Sequence, residues 1–305
     1  MNNRTVAFQN EEWILPTYLS NVLPVVDEII AIDDGSTDNS RKIMEDAGVI
    51  VKSYEDTEHL KGGWPCGLIR THLFKYAREQ GGTHFVCLDA DETFTSNFVS
   101  NAREIIEQVP PGKKIAMQWL ALWKSYTHYR DDHTVWSNNW KDFIVADDPS
   151  LSYDYGYMCE GRTIGSNDDT WYRLDPNVGA VLHYQFSTWN NFQLKQCWCR
   201  IGELVQKGPQ SVNEIKSKYS ITMMDDNVGL TKMPENWTRG IPVPNIPNYD
   251  TEWKEENFLR KDLLPEILRL FDEYGVEYFE GLDIWHVPQL RERFINDMGR
   301  LPNGR

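Results

Sequence analysis

Cysteine is scarce in this sequence. Five residues, an odd number with no CxxC pair, supply neither a disulfide framework nor a thiolate zinc site. Cys197 and Cys199, two apart, read as structural thiols of a reduced cytosol. Positive charge is also short: 31 Lys plus Arg stand against 46 Asp plus Glu, a formal net charge of −15. That balance excludes nucleic acid as a partner bound through its backbone without help. No apolar run approaches the roughly 20 residues of a membrane-spanning helix, and Met1 to Gln9 is too short and polar for a signal peptide. The expectation is a soluble, cytoplasmic protein without a transmembrane segment, for which peripheral membrane association through a partner or a lipid substrate stays open. A P-loop is missing, as is a lysine-bearing glycine-rich nucleotidyl loop. Internal repeats, coiled coils and low-complexity segments are missing too.

What is present is alternation. Thr5 to Phe8 reads as a strand, and Asn10 as the cap of a helix starting near Glu11, with Pro16 tolerated near its start. Glu28 to Ile32 follows as a second strand, an Asp33-Asp34-Gly35-Ser36-Thr37-Asp38 turn leads into a helix to Asp46, and Gly48 closes it. Val49 to Val51 is a third strand, a loop with Gly62 and Gly63 precedes a helix around 68–78, and Phe85 to Leu88 is a fourth strand. Strands alternating with helices predict an α/β fold with a mostly parallel, doubly wound sheet and helices on both faces. A helix from Ser96 to about Gln108 should end at Pro110-Pro111. From Lys114 to Trp189 the chain is rich in Trp, Tyr, His and Asp, which predicts short strands and recognition loops. Helices over 189–206, 211–223, 258–274 and 287–298 and an extended, proline-rich stretch over 234–249 complete the pattern.

Acidic residues fall at the ends of three of these strands: Asn10-Glu11-Glu12, Asp33-Asp34 and Asp89-Ala90-Asp91-Glu92. In an open α/β sheet such ends share one crevice. If the backbone stays extended after Leu88, Asp89 and Asp91 point the same way. Two carboxylates so placed would share a proton or bind a hard divalent cation through oxygen.

The order Gln9-Asn10-Glu11-Glu12, then Val26 to Asp38 with its Asp33-Asp34-Gly35-Ser36 core, then Leu88-Asp89-Ala90-Asp91-Glu92 resembles the family 2 type of GT-A glycosyltransferases, over about residues 5–100. The resemblance implies a GT-A fold with a C-terminal helical extension. It divides the chain into a nucleotide-sugar-binding half (1–112), an acceptor-binding half (113–235) and an extended segment with C-terminal helices (236–305). It implies a metal-dependent inverting transfer from a nucleoside-diphosphate sugar, a UDP-sugar first, to a glycan, lipid-linked or small-molecule hydroxyl, with Mn²⁺ or Mg²⁺ as cofactor. Gln9, Glu11, Asp33 and Asp34 map to the base and ribose positions, and Arg70 to one facing the nucleotide. Asp89-Ala90-Asp91 matches the DxD motif, Asp91 on the metal and Asp89 on ribose or a metal-bound water. His183, ending the apolar stretch Val178 to Leu182, matches a late-strand histidine that completes the metal shell. Glu160 is the first choice of catalytic base because the family puts its base in the second half, with Asp168 and Asp169 as alternatives.

Plainer readings stand beside these. Asp33 to Ser36 also suits a turn with a helix cap, Asp89 to Glu92 a capped helix start, His183 a hydrogen-bonded strand residue, and Glu160 a surface acid. Of Trp119, Trp123, Trp136, Trp140 and Trp171, one or two are expected to line an acceptor groove and the rest to pack. Lys195, Arg200 and Lys207 read as a solvated helix face, or as cations toward pyrophosphate. The rival functions are a carbohydrate-binding GT-A protein without turnover and a metal-dependent phosphohydrolase or nucleotidyltransferase.

Overall fold

The computed structural model describes residues 1–53, 66–132, 134, 136–152, 162–165, 170–220, 228–244 and 253–303. They form two compact units. The first takes 1–53, the described part of 66–187, and 229–244; the second takes 188–220, 228 and 253–303.

The first unit is built on one sheet. β1 (Asn2–Phe8), α1 (Leu15–Val22), β2 (Glu28–Asp33), α2 (Ser40–Asp46), β3 (Ile50–Ser53), α3 (Cys66–Glu79) and β4 (His84–Cys87) give the predicted alternation. After β4 come β5 (Glu92–Phe94), α4 (Ser96–Val99), α5 (Ala102–Glu107), β6 (Lys114–Ala121), β7 (His128–Arg130), β8 (Trp140–Ala146), β9 (Thr170–Arg173) and β10 (Val181–His183). The sheet order is β3-β2-β1-β4-β8-β6-β10-β5, with β9 also on β6. Strands β3, β2, β1 and β4 are mutually parallel, whereas β8 is antiparallel to both β4 and β6. One sheet therefore runs through the expected donor and acceptor halves, across residue 112.

The chain moves from β1 outward to β2 and β3 and returns on the other side of β1 as β4. This reversal is the topological switch that opens a crevice at the carboxyl ends of the strands. Phe8 lies opposite Asp33, and Thr5 opposite Cys87, so the acidic strand ends emerge along one edge.

Several boundaries differ from those read in the sequence, each for a local reason. β1 begins at Asn2 because its polar start is buried: Asn3 donates to the Ala77 carbonyl at 3.3 Å, and the Arg4 guanidinium lies 4.1 Å from the centre of the Tyr18 ring. α1 starts at Leu15, since residues 11–14 form a turn in which Ile14 and Leu15 N–H both reach the Glu11 carbonyl. The helix predicted over 96–108 is two helices, broken where Ser100 and Asn101 offer side chains that compete with helical backbone bonds. The 234–249 stretch contains a short helix, α8 (Glu235–Thr238), preceded by β11 (Leu230–Lys232) on β7. Gly48 ends α2 as expected, in the left-handed region at φ 79°, the conformation glycine adopts most cheaply.

The second unit holds α6 (Trp189–Lys207), α7 (Val212–Tyr219), α9 (Leu263–Tyr274) and α10 (Pro288–Met298). α9 buries Leu263, Leu264, Ile267, Leu270 and Phe271, a helical i, i+4, i+7, i+8 stripe. They join Leu194, Cys197 and Ile201 of α6 and Leu290 and Phe294 of α10 in one core. Among the described residues no helix is long and apolar enough to cross a membrane.

Candidate active site

One side of the crevice joins the ends of β1 and β2. Asn10 adopts a positive φ of 54°, a conformation that asparagine tolerates better than most residues. Its Oδ1 accepts from Thr37 N–H at 2.8 Å and Asp38 N–H at 3.3 Å, and its own N–H donates to Ser36 Oγ. Asn10 thus fastens β1 to the loop after β2, and does not cap α1 as its sequence context suggested. Gln9 Nε2 adds a 2.9 Å bond to the Asp34 carbonyl. Asp33 Oδ1 accepts from Ser36 N–H at 2.9 Å, the turn bond its type predicts, and its Oδ2 lies 3.6 Å from Arg41. Glu11 accepts from Trp13 Nε1 at 2.8 Å. Glu11, Asp33 and Asp34 are all buried. Asn10→Ala should lower stability by about 2 kcal/mol, from two backbone N–H donors left without their acceptor and a left-handed alanine. Urea unfolding at unchanged slope checks this, with Asn10→Gly expected to recover part of the loss.

The other side is the link from β4 to β5. Here the backbone turns, with Glu92 N–H on the Asp89 carbonyl at 3.1 Å, and the two aspartates take different partners. The parallel projection expected of an extended chain is therefore not found. Asp89 Oδ1 pairs with Arg70 at 2.7 Å and Oδ2 with Arg162 at 2.9 Å. Glu92, fully buried, accepts from Arg162 Nη1 at 2.6 Å, Asp89 N–H at 2.7 Å and Trp119 Nε1 at 2.6 Å. Burial pushes the Asp89 carboxyl up, but the Arg162 and Arg70 charges outweigh it and hold the group well below the usual carboxylate range.

Asp91 instead meets His183, with Oδ2 3.3 Å from Nε2. β10 makes that meeting: His183 lies opposite Glu92 of β5 and Ala121 of β6, and Tyr184 N–H donates to the Asp91 carbonyl. The imidazole stacks on Trp119, ring centres 4.2 Å apart. The Lys141 ammonium sits 4.2 Å from the centre of the Trp119 ring. Burial, followed by the Arg162 charge, pushes Lys141 down to about 8.

The sequence model of the family described as "Glycosyl transferase family 2" matches residues 5–158, half of the chain. The chain belongs to glycosyl transferase family 2. Its architecture is the mixed α/β GT-A one, with C-terminal helices. Local structural likenesses include S. aureus TarS, at 21% identity over 41% of this chain and 22% of that one, TM-score 0.29. They also include glucosyl-3-phosphoglycerate synthase from Mycobacterium tuberculosis in complex with Mn²⁺, UDP and glucosyl-3-phosphoglycerate, at 21% identity over 40% of this chain and 44% of that one, TM-score 0.29. The family 2 chain covers less than half the length of either. None of the curated proteins compared with it matches the chain.

For this family 2 chain, the structure gathers Gln9, Glu11, Asp33 and Asp34 at one side of the crevice and Arg70, Asp89, Asp91 and His183 at the other. Glu160, Asp168 and Asp169 lie outside the described residues, as does the side chain of Trp171. Among the described residues no group of three or more His, Cys, Asp or Glu is gathered as a metal cluster. Four contributors were not singled out as ligands from sequence: Glu92, Arg162, Trp119 and Lys141. Glu92 adjoins the DxD motif, and Trp119 figured only as a possible stacking platform. Trp123 is buried, stacked on Phe186 with ring centres 5.4 Å apart. The solvated face expected of Lys195, Arg200 and Lys207 is corrected at Arg200, which is buried in the second unit and donates to the Tyr219 carbonyl at 3.4 Å. Lys207 is paired with Glu203 and Glu214.

Proposed function

We propose that the chain transfers a sugar from a nucleoside-diphosphate donor, a UDP-sugar first, to a carbohydrate, lipid-linked or small-molecule hydroxyl, with inversion and with a divalent cation. The observation that carries this reading is the approach of Asp91 Oδ2 to His183 Nε2 at 3.3 Å, at the strand-end crevice of a family 2 fold. A carboxylate oxygen and an imidazole nitrogen that close can bind one ion together, and the mixed set suits Mn²⁺ better than Mg²⁺. Asp91 and His183 would hold it; two protein ligands are enough for an ion that also binds substrate phosphates. When bound, the ion supplies positive charge against the diphosphate.

The residues of the chain divide the rest of the work. Gln9, Glu11, Asp33 and Asp34 offer the amide and carboxylate acceptors that a nucleobase N–H and ribose hydroxyls require. Asp89, already held by Arg70 and Arg162, acts on ribose or on water, and its two arginines fix the turn from which Asp91 projects. The base that takes the acceptor proton is a carboxylate of the second half, with Glu160 ahead of Asp168 and Asp169.

A thermal-shift panel of UDP-, GDP- and dTDP-sugars with and without Mn²⁺ tests the reading. A ligand at about 100 times its Kd adds roughly 2.7 kcal/mol to the native state, which for a chain of this size raises Tm by about 5 °C. A shift confined to one nucleotide and dependent on Mn²⁺ is expected. No shift with any nucleotide leaves carbohydrate binding without turnover as the better account.

A further inference from the structure

Lys141 is a cation of the first unit's sheet. It lies on β8 opposite Met117 of β6, half-buried. Among the described residues its ammonium meets no carboxylate within ion-pair distance, and its close contact is the face of Trp119. The acids that attract it, Glu92 and Asp89, are already bonded to Arg162 and Arg70. Those same two arginines repel it. Removing an ammonium from water without an anion lowers the stability of the fold, and a cation–π contact returns only part of that cost.

The position of the lysine explains what it gains. Trp119 stacks on His183 and donates to Glu92, and His183 meets Asp91. Lys141 is thus one ring away from the pair that would hold the cation, and among the described residues it is not tied to a carboxylate. We infer that Lys141 binds the diphosphate of the nucleotide donor and takes up part of the negative charge that departs with it. In the transfer, the bond from the anomeric carbon to the diphosphate oxygen breaks with its electron pair on that oxygen, a bond to the acceptor oxygen forms, and the acceptor proton goes to a carboxylate base. The diphosphate gains one negative charge, and Lys141 answers it from a site where low dielectric strengthens the attraction. This assignment rests on the transferase reading.

Calorimetric titration of nucleoside, nucleoside monophosphate and nucleoside diphosphate, with Mn²⁺, into wild type, Lys141→Gln and Lys141→Arg tests it. Losing a charge-assisted bond should weaken diphosphate binding roughly ten- to hundred-fold in Lys141→Gln, leave the nucleoside within about twofold, and be largely restored in Lys141→Arg. Equal diphosphate affinity in wild type and Lys141→Gln overturns the assignment while leaving the transferase reading intact. If that variant instead raises only the acceptor KM, the lysine serves the acceptor and the assignment is likewise lost. Failure of wild type to bind any nucleoside diphosphate removes the transferase reading itself. Should Lys141→Gln not fold, amine-selective acylation of wild type at pH 8 gives the same decision: the diphosphate, unlike the nucleoside, should protect the Lys141 peptide, and absence of protection overturns the assignment.

Discussion

Asp91→Asn should lower kcat/KM for sugar transfer by about a thousand-fold and abolish the Mn²⁺-dependent part of the nucleotide-induced thermal shift. The substitution keeps the shape of the side chain and removes its charge, so the carboxylate of the Asp91–His183 pair is lost while β5 and β10 keep their pairing. Charge stabilisation by a bound cation is worth several kcal/mol, and about 4 kcal/mol corresponds to three decades in rate. The midpoint without ligand should change little, because Asp91 shares its surroundings with two other acids, Asp89 and Glu92. The comparison with Asp89→Asn is informative. That change also frees Arg70 and Arg162 from their 2.7 and 2.9 Å pairs, so it should lower stability as well as activity. Retention of activity within tenfold by Asp91→Asn, with the Mn²⁺ response intact, would falsify the metal assignment to this residue.

The parts of this site that could be read in the sequence are those carried by contiguous residues. The Phe85 to Leu88 run and the Glu28 to Ile32 run are apolar, bounded by turn residues and followed by acids, so both the strands and their acidic exits were visible. Convergence of those exits followed from the parallel order alone. His183 could be placed at a strand end by the same logic, although its meeting with Asp91 depends on β10 lying between β6 and β5, a pairing that no local pattern encodes.

What escaped the sequence was fixed by tertiary partners. Arg4 precedes the strand read over Thr5 to Phe8 and takes no role in that reading, yet Tyr18 of α1 covers its guanidinium. The Asp89 and Asp91 side chains follow period 2 only if the backbone stays extended, and the Asp89–Glu92 turn removes that condition. Arg162 lies 70 positions beyond Glu92, in a segment with no helical or strand periodicity, so nothing near it in the chain announces a carboxylate partner. Lys141 falls in a stretch read only as short strands and recognition loops, and the adjacent strand is what brings an indole against its ammonium.

The pairing of Arg162 with two acids leads to the second large effect, on stability. Arg162→Met should destabilise the fold by about 3–5 kcal/mol, because it leaves a fully buried Glu92 without its cation. The remaining donors, Asp89 N–H and Trp119 Nε1, are neutral dipoles. A fall in Tm of about 6–9 °C is the corresponding readout. The double variant Glu92→Gln with Arg162→Met removes the buried charge together with its partner, and should recover most of the loss; such a coupling is what a double-mutant cycle measures. A single variant costing under about 1 kcal/mol, or a double variant no more stable than the single, would show that this pair does not hold the turn. Acid pH supplies an independent check through Asp89. Its folded carboxyl is held below the ordinary range, so its contribution to stability is fully present above the unfolded value of about 3.9 and is lost as pH falls below that value. Of the two arginine charges that hold it there, Arg162 is the stronger influence. In Arg162→Met the folded and unfolded carboxyls should titrate closer together, and the dependence of stability on pH between about 5 and 2 should flatten. An unchanged acid limb in a folded variant would mean that Arg70 alone fixes Asp89.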